Sequence, residues 1–135
     1  MSRPPLAGSL LVANASGPHA HKVNGVFEPT TEMCDGLPVF QNKGNGDLWL
    51  QFFRLEWSVV STDYRGTSKS YAFISTGAAG MCLPQDCPRG EWQVWMGGEG
   101  KQRDPAVTVT VLSDLPNNTL ALVEEAILLY NEKVN

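Results

Sequence analysis

Residues 44–60 read GNGDLWLQFFRLEWSVV, and they set the architecture of the whole chain. The opening GNGD is a strong turn signal, because glycine and asparagine adopt the backbone conformations that tight turns need. The two apolar runs that follow, LWLQFF and EWSVV, have the length and aromatic content of short strands, and only RL separates them. With the earlier run LPVFQ at residues 37–41, the segment predicts two successive antiparallel hairpins.

The rest of the chain up to residue 112 continues this pattern. Trp57 with Val59, and Tyr71 with Phe73, occupy alternate positions, which predicts strands with one buried face. Residues 106–112, AVTVTVL, form the most strand-like segment. With 13 Gly and 9 Pro as frequent breaks, the chain is predicted to be mainly β. We expect an antiparallel meander of about seven or eight short strands, closed as a small barrel or packed as a sandwich.

The C-terminal segment changes to a helical pattern. Its apolar residues recur at intervals of three and four: Leu120, Val123, Ile127, Tyr130 and Val134. This spacing predicts an α-helix over residues 115–134 that packs on the β-rich part, residues 8–112, within one domain of residues 1–135. The apolar face of the helix either covers the β-structure or forms a homodimer interface, and the sequence leaves both open.

Charge and composition argue against several classes of partner. The net charge is −4 and the ten lysines and arginines are scattered, whereas nucleic-acid binding depends on concentrated positive charge. No run approaches the roughly 20 apolar residues of a membrane-spanning helix. The three cysteines are an odd number, which disfavours a disulfide framework. We therefore expect a cytoplasmic protein that binds neither nucleic acid nor membrane.

The residues capable of chemistry do not form a recognisable catalytic or metal-binding motif. His19 and His21 would share one side of a strand, but a metal site needs further ligands. Four residues lie between Cys82 and Cys87, which is not the usual zinc spacing. Either cysteine could act as a nucleophile only if the fold brought a histidine beside it. The sequence predicts no catalytic residue, no metal and no cofactor.

The aromatic residues indicate both the core and a candidate binding surface. Trp57 and Trp92 are the expected core residues. Adjacent strand residues point to opposite faces, so one residue of each neighbouring pair must point away from the core. Trp95, Phe53 and Trp49 are thereby the candidate exposed aromatics. Burial under the C-terminal helix and exposure as anchors for a protein or peptide partner are both open.

The order of these landmarks resembles an uncharacterised β-rich module that recurs in large multidomain eukaryotic, especially protist, proteins. The resemblance rests on VNGVFEP at residues 23–29, GLPVF at 36–40, WSV at 57–59, the proline loop beginning CLP at 82, and WQV at 92–94. It covers about residues 8–112 and leaves the C-terminal helix as an addition. The resemblance implies a recognition or scaffolding unit in a cytosolic eukaryotic setting, and it supplies no catalytic residue.

Three functions follow as hypotheses. The first is a non-enzymatic protein-interaction or scaffolding domain, binding as a monomer or a homodimer. The second is a β-barrel that holds a lipid or another small molecule in its interior. The third and weakest is a cysteine-dependent enzyme that uses Cys82 or Cys87.

Overall fold

The structure is a computed structural model that describes residues 8–77, residues 80–114 and Glu125. Nine β-strands follow one another within these described residues: β1 (Leu10–Ala13), β2 (Gly25–Cys34), β3 (Leu37–Asn42), β4 (Leu48–Phe53), β5 (Glu56–Ser61), β6 (Ala72–Ser75), β7 (Gln93–Trp95), β8 (Lys101–Arg103) and β9 (Thr108–Val111). A four-residue helix, α1 (Ala20–Val23), lies between β1 and β2. Short 3-10 turns occupy Thr62–Tyr64, Pro84–Asp86, Gly97–Glu99 and Leu112–Asp114. No helix within the described ranges is long and apolar enough to cross a membrane.

All nine strands belong to one antiparallel sheet in the order β8-β7-β6-β5-β4-β3-β2-β1-β9. Strands lie about 4.8 Å apart, so a flat sheet of this size would be about 38 Å wide. However, only residues 104–107 connect β8 at one edge to β9 at the other, and such a link spans at most about 18 Å. The sheet is therefore curled into a half-barrel whose two edges approach each other.

The buried carboxylate of Asp104 stabilises the connection between β8 and β9. Oδ2 of Asp104 accepts hydrogen bonds from the backbone N–H and the hydroxyl of Ser16, both at 2.9 Å. Its other oxygen accepts one from the N–H of Ala106 at 3.2 Å. Asp104 thereby ties the segment after β1 to the connection that joins the two edge strands.

Tight turns set the register of the central hairpins. Asp35 and Gly36 join β2 to β3, while Arg54 and Leu55 join β4 to β5, and all four residues have positive φ. Positive φ at both central positions is typical of the two-residue turns whose twist matches that of the strands. A carboxylate oxygen of Asp35 accepts the N–H of Arg54 at 3.0 Å, so the two turns lie side by side.

The concave side of the sheet holds the hydrophobic core. The largest fully buried side chains there are aromatic, and the rings of Phe40 and Phe52 lie 5.7 and 5.3 Å from the ring of Trp57. Trp92 is also buried, as the sequence predicted for both tryptophans. Branched and small side chains fill the spaces between the rings: Leu10, Val12, Val23, Leu50, Val59, Ala72, Ile74 and Val94.

The prediction of a mainly β antiparallel meander is confirmed, with three differences. The strand count is nine rather than seven or eight, because Lys101–Arg103 pairs as a separate strand with β7. The buried face of β6 consists of Ala72 and Ile74, so the prediction that Tyr71 and Phe73 mark the core face was wrong. Finally, His19 and His21 do not lie on a strand, since His19 precedes and His21 belongs to α1, and β2 begins at Gly25. The predicted C-terminal helix lies outside the described residues.

The convex side of β4 and β5 is covered by the segment between β5 and β6. Gln51, which points away from the core, is almost fully buried there. Its side-chain oxygen accepts the N–H of Gly66 at 2.9 Å, and its amide donates to the carbonyl of Thr67 at 3.2 Å. These bonds hold residues 62–70 against the sheet, where part of this segment forms a wall of a surface pocket.

Candidate functional site

One end of the sheet carries an open pocket of about 510 Å³. In an antiparallel meander, the end of one strand lies beside the start of the next, so β5 ends where β6 begins and β7 ends where β8 begins. Residues from all four of these positions meet, together with His19 next to α1. This end is called the α1 end below, and the cavity is called the α1-end pocket.

The lining combines aromatic rings with cations and hydroxyls. The aromatic residues are Tyr64, Tyr71 and Trp95, and the cationic residues are Lys69 and Lys101. His19 and three serines complete the described wall: Ser61, Ser68 and Ser70. None of the described residues that line the pocket carries a carboxylate. On a chain whose net charge is −4, this concave surface is locally positive and suits an anionic group.

Contacts within the protein itself hold the Lys101 side chain in position. Its Nζ donates to the hydroxyl of Ser70 at 2.9 Å and lies 4.9 Å from the centre of the Phe73 ring. Partial burial lowers the pKa of the Lys101 ammonium, and the Glu56 carboxylate opposes this shift. A desolvated ammonium interacts more strongly with an incoming anion than a fully hydrated one does.

His19 also lines the pocket. Its ring lies 5.4 Å from that of Tyr71, centre to centre, and Nζ of Lys22 is 4.7 Å from the same Tyr71 ring on the outside of the pocket. The Nδ1 atom of His19 is buried, and it has no hydrogen-bond partner in the part of the chain that the structure describes. Buried polar atoms normally have a hydrogen-bond partner, so this nitrogen is an exception among the described residues.

The three candidate exposed aromatics differ in their surroundings. Trp95 is 37% exposed and lies at the pocket, opposite Lys101 in the β7–β8 register. Trp49 is partly buried on the convex face, where the Arg65 guanidinium lies 4.1 Å from its ring and its Nε1 donates to Thr62. Phe53 is also partly buried, with Arg54 over its ring at 5.1 Å. Of the three, only Trp95 contributes to the pocket.

The structure does not bring the cysteines and histidines together. The Sγ atoms of Cys82 and Cys87 are 3.5 Å apart in the loop after β6. His19 packs on Tyr71, which immediately precedes β6, so the thiols and the histidines lie at opposite ends of that strand. Burial and the hydrogen bond with Cys82 both raise the pKa of the Cys87 thiol, which disfavours a reactive thiolate.

A metal site has no support in the described ranges. No group of three or more histidine, cysteine, aspartate or glutamate side chains converges there. His19 and His21 remain a pair, with ring centres 6.5 Å apart. The expected absence of a metal and a cofactor stays a prediction.

Sequence reasoning found Trp95 but missed most of the pocket. Tyr64, Lys69 and Tyr71 belong to a segment of small polar residues between β5 and β6 that has the composition of an ordinary loop. Lys101 follows a glycine-rich turn far along the chain. The pairing of the neighbouring strands β5 to β8 places these residues next to one another, and no local pattern carries that information.

Comparison with protein-family models, with curated protein sequences and with solved structures finds no match. The similarity of residues 8–112 to a β-rich module of multidomain eukaryotic proteins therefore stays a prediction.

Proposed function

We propose that this protein is a non-enzymatic interaction domain whose α1-end pocket binds an acidic segment of a partner protein. The observation that carries the proposal is the composition of the pocket. Lys69 and Lys101 share one concave wall with three aromatic rings, and no carboxylate from the described residues lines it. Aspartate or glutamate side chains of the partner would contact the ammonium groups, while apolar side chains would pack on the rings.

The positions of the aromatic residues favour a macromolecular partner. Trp95 is 37% exposed and Tyr64 is 44% exposed, and both lie at the pocket. Tryptophan and tyrosine are enriched among the residues that dominate binding energy at protein interfaces. Their rings give a large contact area at a small cost in conformational entropy.

The order already present around Lys101 also supports binding. Ser70 and Phe73 hold the ammonium group without a ligand, so less side-chain freedom is lost when an anion binds. The pocket is therefore largely prepared for an acidic group.

The filled interior argues against the alternative of a ligand inside the barrel. Trp57, Phe27 and Phe40 are fully buried on the concave side and pack with branched aliphatic residues. A lipid or similar molecule would have to displace these side chains. The proposal includes a cytoplasmic setting, because the odd number of cysteines favours a reducing compartment.

The test uses the full chain and a dye-labelled peptide composed of glutamate and phenylalanine. The matched probe is the same peptide with each glutamate replaced by lysine. Fluorescence polarisation should show binding of the acidic peptide alone, and its affinity should fall as NaCl is raised because the contact is electrostatic. Equal binding of both peptides would contradict the proposal.

Variants locate the contact. Lys101→Met should weaken binding of the acidic peptide about tenfold, since a hydrogen bond to a charged group contributes about 1.5–3 kcal/mol. Trp95→Ala should have an effect of similar size. Lys43→Met is the matched control, because Lys43 is exposed, lies outside the pocket and changes the net charge equally. If Lys43→Met weakened binding as much as Lys101→Met, the contact would be non-specific.

A further inference from the structure

The loop between β6 and β7 brings two cysteines together at the end of the sheet opposite the α1 end. The Sγ atoms of Cys82 and Cys87 are 3.5 Å apart, and both thiols are free. The thiol of Cys87 also donates to the carbonyl of Leu83 at 3.6 Å. This loop is called the thiol loop below.

The local sequence explains why the two thiols meet. The residues between them are LPQD, and Pro84–Asp86 forms a 3-10 turn. The N–H of Asp86 donates to the carbonyl of Leu83 at 2.9 Å, and the N–H of Cys87 donates to that of Pro84 at 3.3 Å. The turn folds the chain back so that Cys87 returns to Cys82.

The rest of the fold holds the thiol loop in this conformation. Nε1 of Trp57 donates to the carbonyl of Cys82 at 2.7 Å, which fixes the start of the loop to the core. Leu83 is buried. Cys87 is buried in the core cluster, and Cys82 packs against it while remaining partly exposed. A disulfide between the two would need only a small further approach of the sulfur atoms.

We propose that Cys82 and Cys87 form a reversible disulfide by exchange with a small-molecule disulfide of the glutathione type. The partly exposed Cys82 is the first to react. Its thiolate attacks one sulfur of the external disulfide, forms a mixed disulfide and releases one small thiolate.

Cys87 completes the exchange. Its thiol loses a proton to the released thiolate or to water, and its sulfur attacks Sγ of Cys82. The mixed disulfide breaks and a second small thiol leaves. The two protein thiols are thus oxidised by two electrons to one disulfide, and the external disulfide is reduced to two thiols.

The buried position of Cys87 defines the order of these steps. Burial and the hydrogen bond with Cys82 raise the pKa of the Cys87 thiol, so Cys87 remains protonated while Cys82 reacts. Cys82 is partly exposed whereas Cys87 is buried, so Cys82 is the thiol that a small external disulfide can reach. Cys87 is therefore the resolving cysteine.

The experiment exposes the full chain to buffers with different ratios of oxidised to reduced glutathione, followed by acid quenching and thiol alkylation. Trypsin would release residues 70–89, which contain both Cys82 and Cys87, separately from residues 23–43, which contain Cys34. At a high ratio of oxidised to reduced glutathione, we expect the peptide of residues 70–89 to carry no alkyl label. Its mass should be two hydrogens below that of the same peptide with free thiols, while Cys34 remains alkylated. Recovery of residues 70–89 with both thiols alkylated in every buffer would overturn the proposal.

Two variants separate an internal disulfide from a simple adduct. Cys87→Ser should accumulate a mixed disulfide between Cys82 and glutathione, because the resolving thiol is missing. Cys34→Ser should behave as the natural chain, since Cys34 lies outside the thiol loop. A stable glutathione adduct on Cys82 in the unaltered chain, or oxidation that requires Cys34, would contradict the assignment.

The oxidised chain should also melt at a higher temperature than the reduced chain, because the disulfide restricts the unfolded state. Cys87→Ser should show no such increase under the same oxidising buffer. An equal increase in Cys87→Ser would mean that the thiol pair is not its source.

Discussion

Substitution of Leu55 by glycine should be less destabilising than substitution by alanine, although alanine is normally the better residue in a strand or at its end. Leu55 has φ of +63° and follows Arg54, whose φ is +53°. An L-residue other than glycine loses about 1–2 kcal/mol in this left-handed region, because its Cβ approaches the carbonyl oxygen. Neither residue is the asparagine, aspartate or glycine that such turns prefer.

The magnitude follows from comparing two substitutions that remove nearly the same side chain. Leu55 is 54% exposed, and both Leu55→Ala and Leu55→Gly lose its remaining contacts. Only glycine relieves the backbone strain, at an entropic cost of about 0.5–1 kcal/mol. The free energy of unfolding should therefore be about 0.5–1 kcal/mol higher for Leu55→Gly than for Leu55→Ala. For a chain of this length, the melting temperatures should differ by about 2–4 °C.

Urea unfolding followed by tryptophan fluorescence measures this difference, since Trp57 is fully buried in the folded state. Ser75 provides the matched control because it is an exposed residue of β6 with extended backbone. There, Ser75→Ala should be more stable than Ser75→Gly by about 0.5–1 kcal/mol. If alanine were the more stable substitution at both positions, the strained turn and the β4–β5 register that depends on it would be refuted.

Three further substitutions test the core, the closure of the sheet and the pocket. Trp57→Ala should lower the free energy of unfolding by about 3–5 kcal/mol through lost burial and a residual cavity, and near-normal urea unfolding would contradict the core assignment. Asp104→Asn should cost about 1–3 kcal/mol because it weakens two hydrogen bonds from Ser16, whereas the exposed Asp63→Asn should change the urea midpoint little. The pKa of Lys101 in the folded state is below its ordinary 10.5. As the pH rises, the folded chain therefore loses this proton before the unfolded chain does. The stability of the natural chain should therefore increase relative to Lys101→Met between neutral pH and about pH 10, as urea titrations would measure.

The hairpins of the central sheet were predictable because local turn chemistry specifies them. Residues 44–60 contain both the turn signals and the apolar runs, and β4 and β5 pair as that segment predicts. The face of β6 was not predictable by the same reasoning. Its neighbourhood reads YAFIS, in which both sets of alternate positions are apolar, so alternation cannot distinguish the faces. The pairing of Trp57 with Ile74 determines which residues of β6 face the core. This pairing depends on the register between β5 and β6, and not on the β4–β5 hairpin that residues 44–60 specify.

The long-range pairing of β1 with β9 lies equally beyond local reasoning. Leu10 pairs with Val111, so the first and last strands of the described sheet are neighbours. No turn connects them, and their alignment depends on the accumulated curl of all the strands between them. The α1-end pocket depends on the pairing of β5 to β8 with one another, which explains why only Trp95 of its described lining was predicted as a binding residue.

The two proposed sites use opposite ends of the same strands, and this arrangement separates their chemistry. Trp57 near the start of β5 anchors the thiol loop, whereas Ser61 at its other end lines the α1-end pocket. A strand of this length spans about 17–20 Å, which is beyond the range of direct contact between a disulfide and a bound peptide. Neither proposal therefore requires the other. Since the acidic peptide meets no thiol and the exchange reaction uses no pocket residue, failure of one experiment leaves the outcome of the other informative.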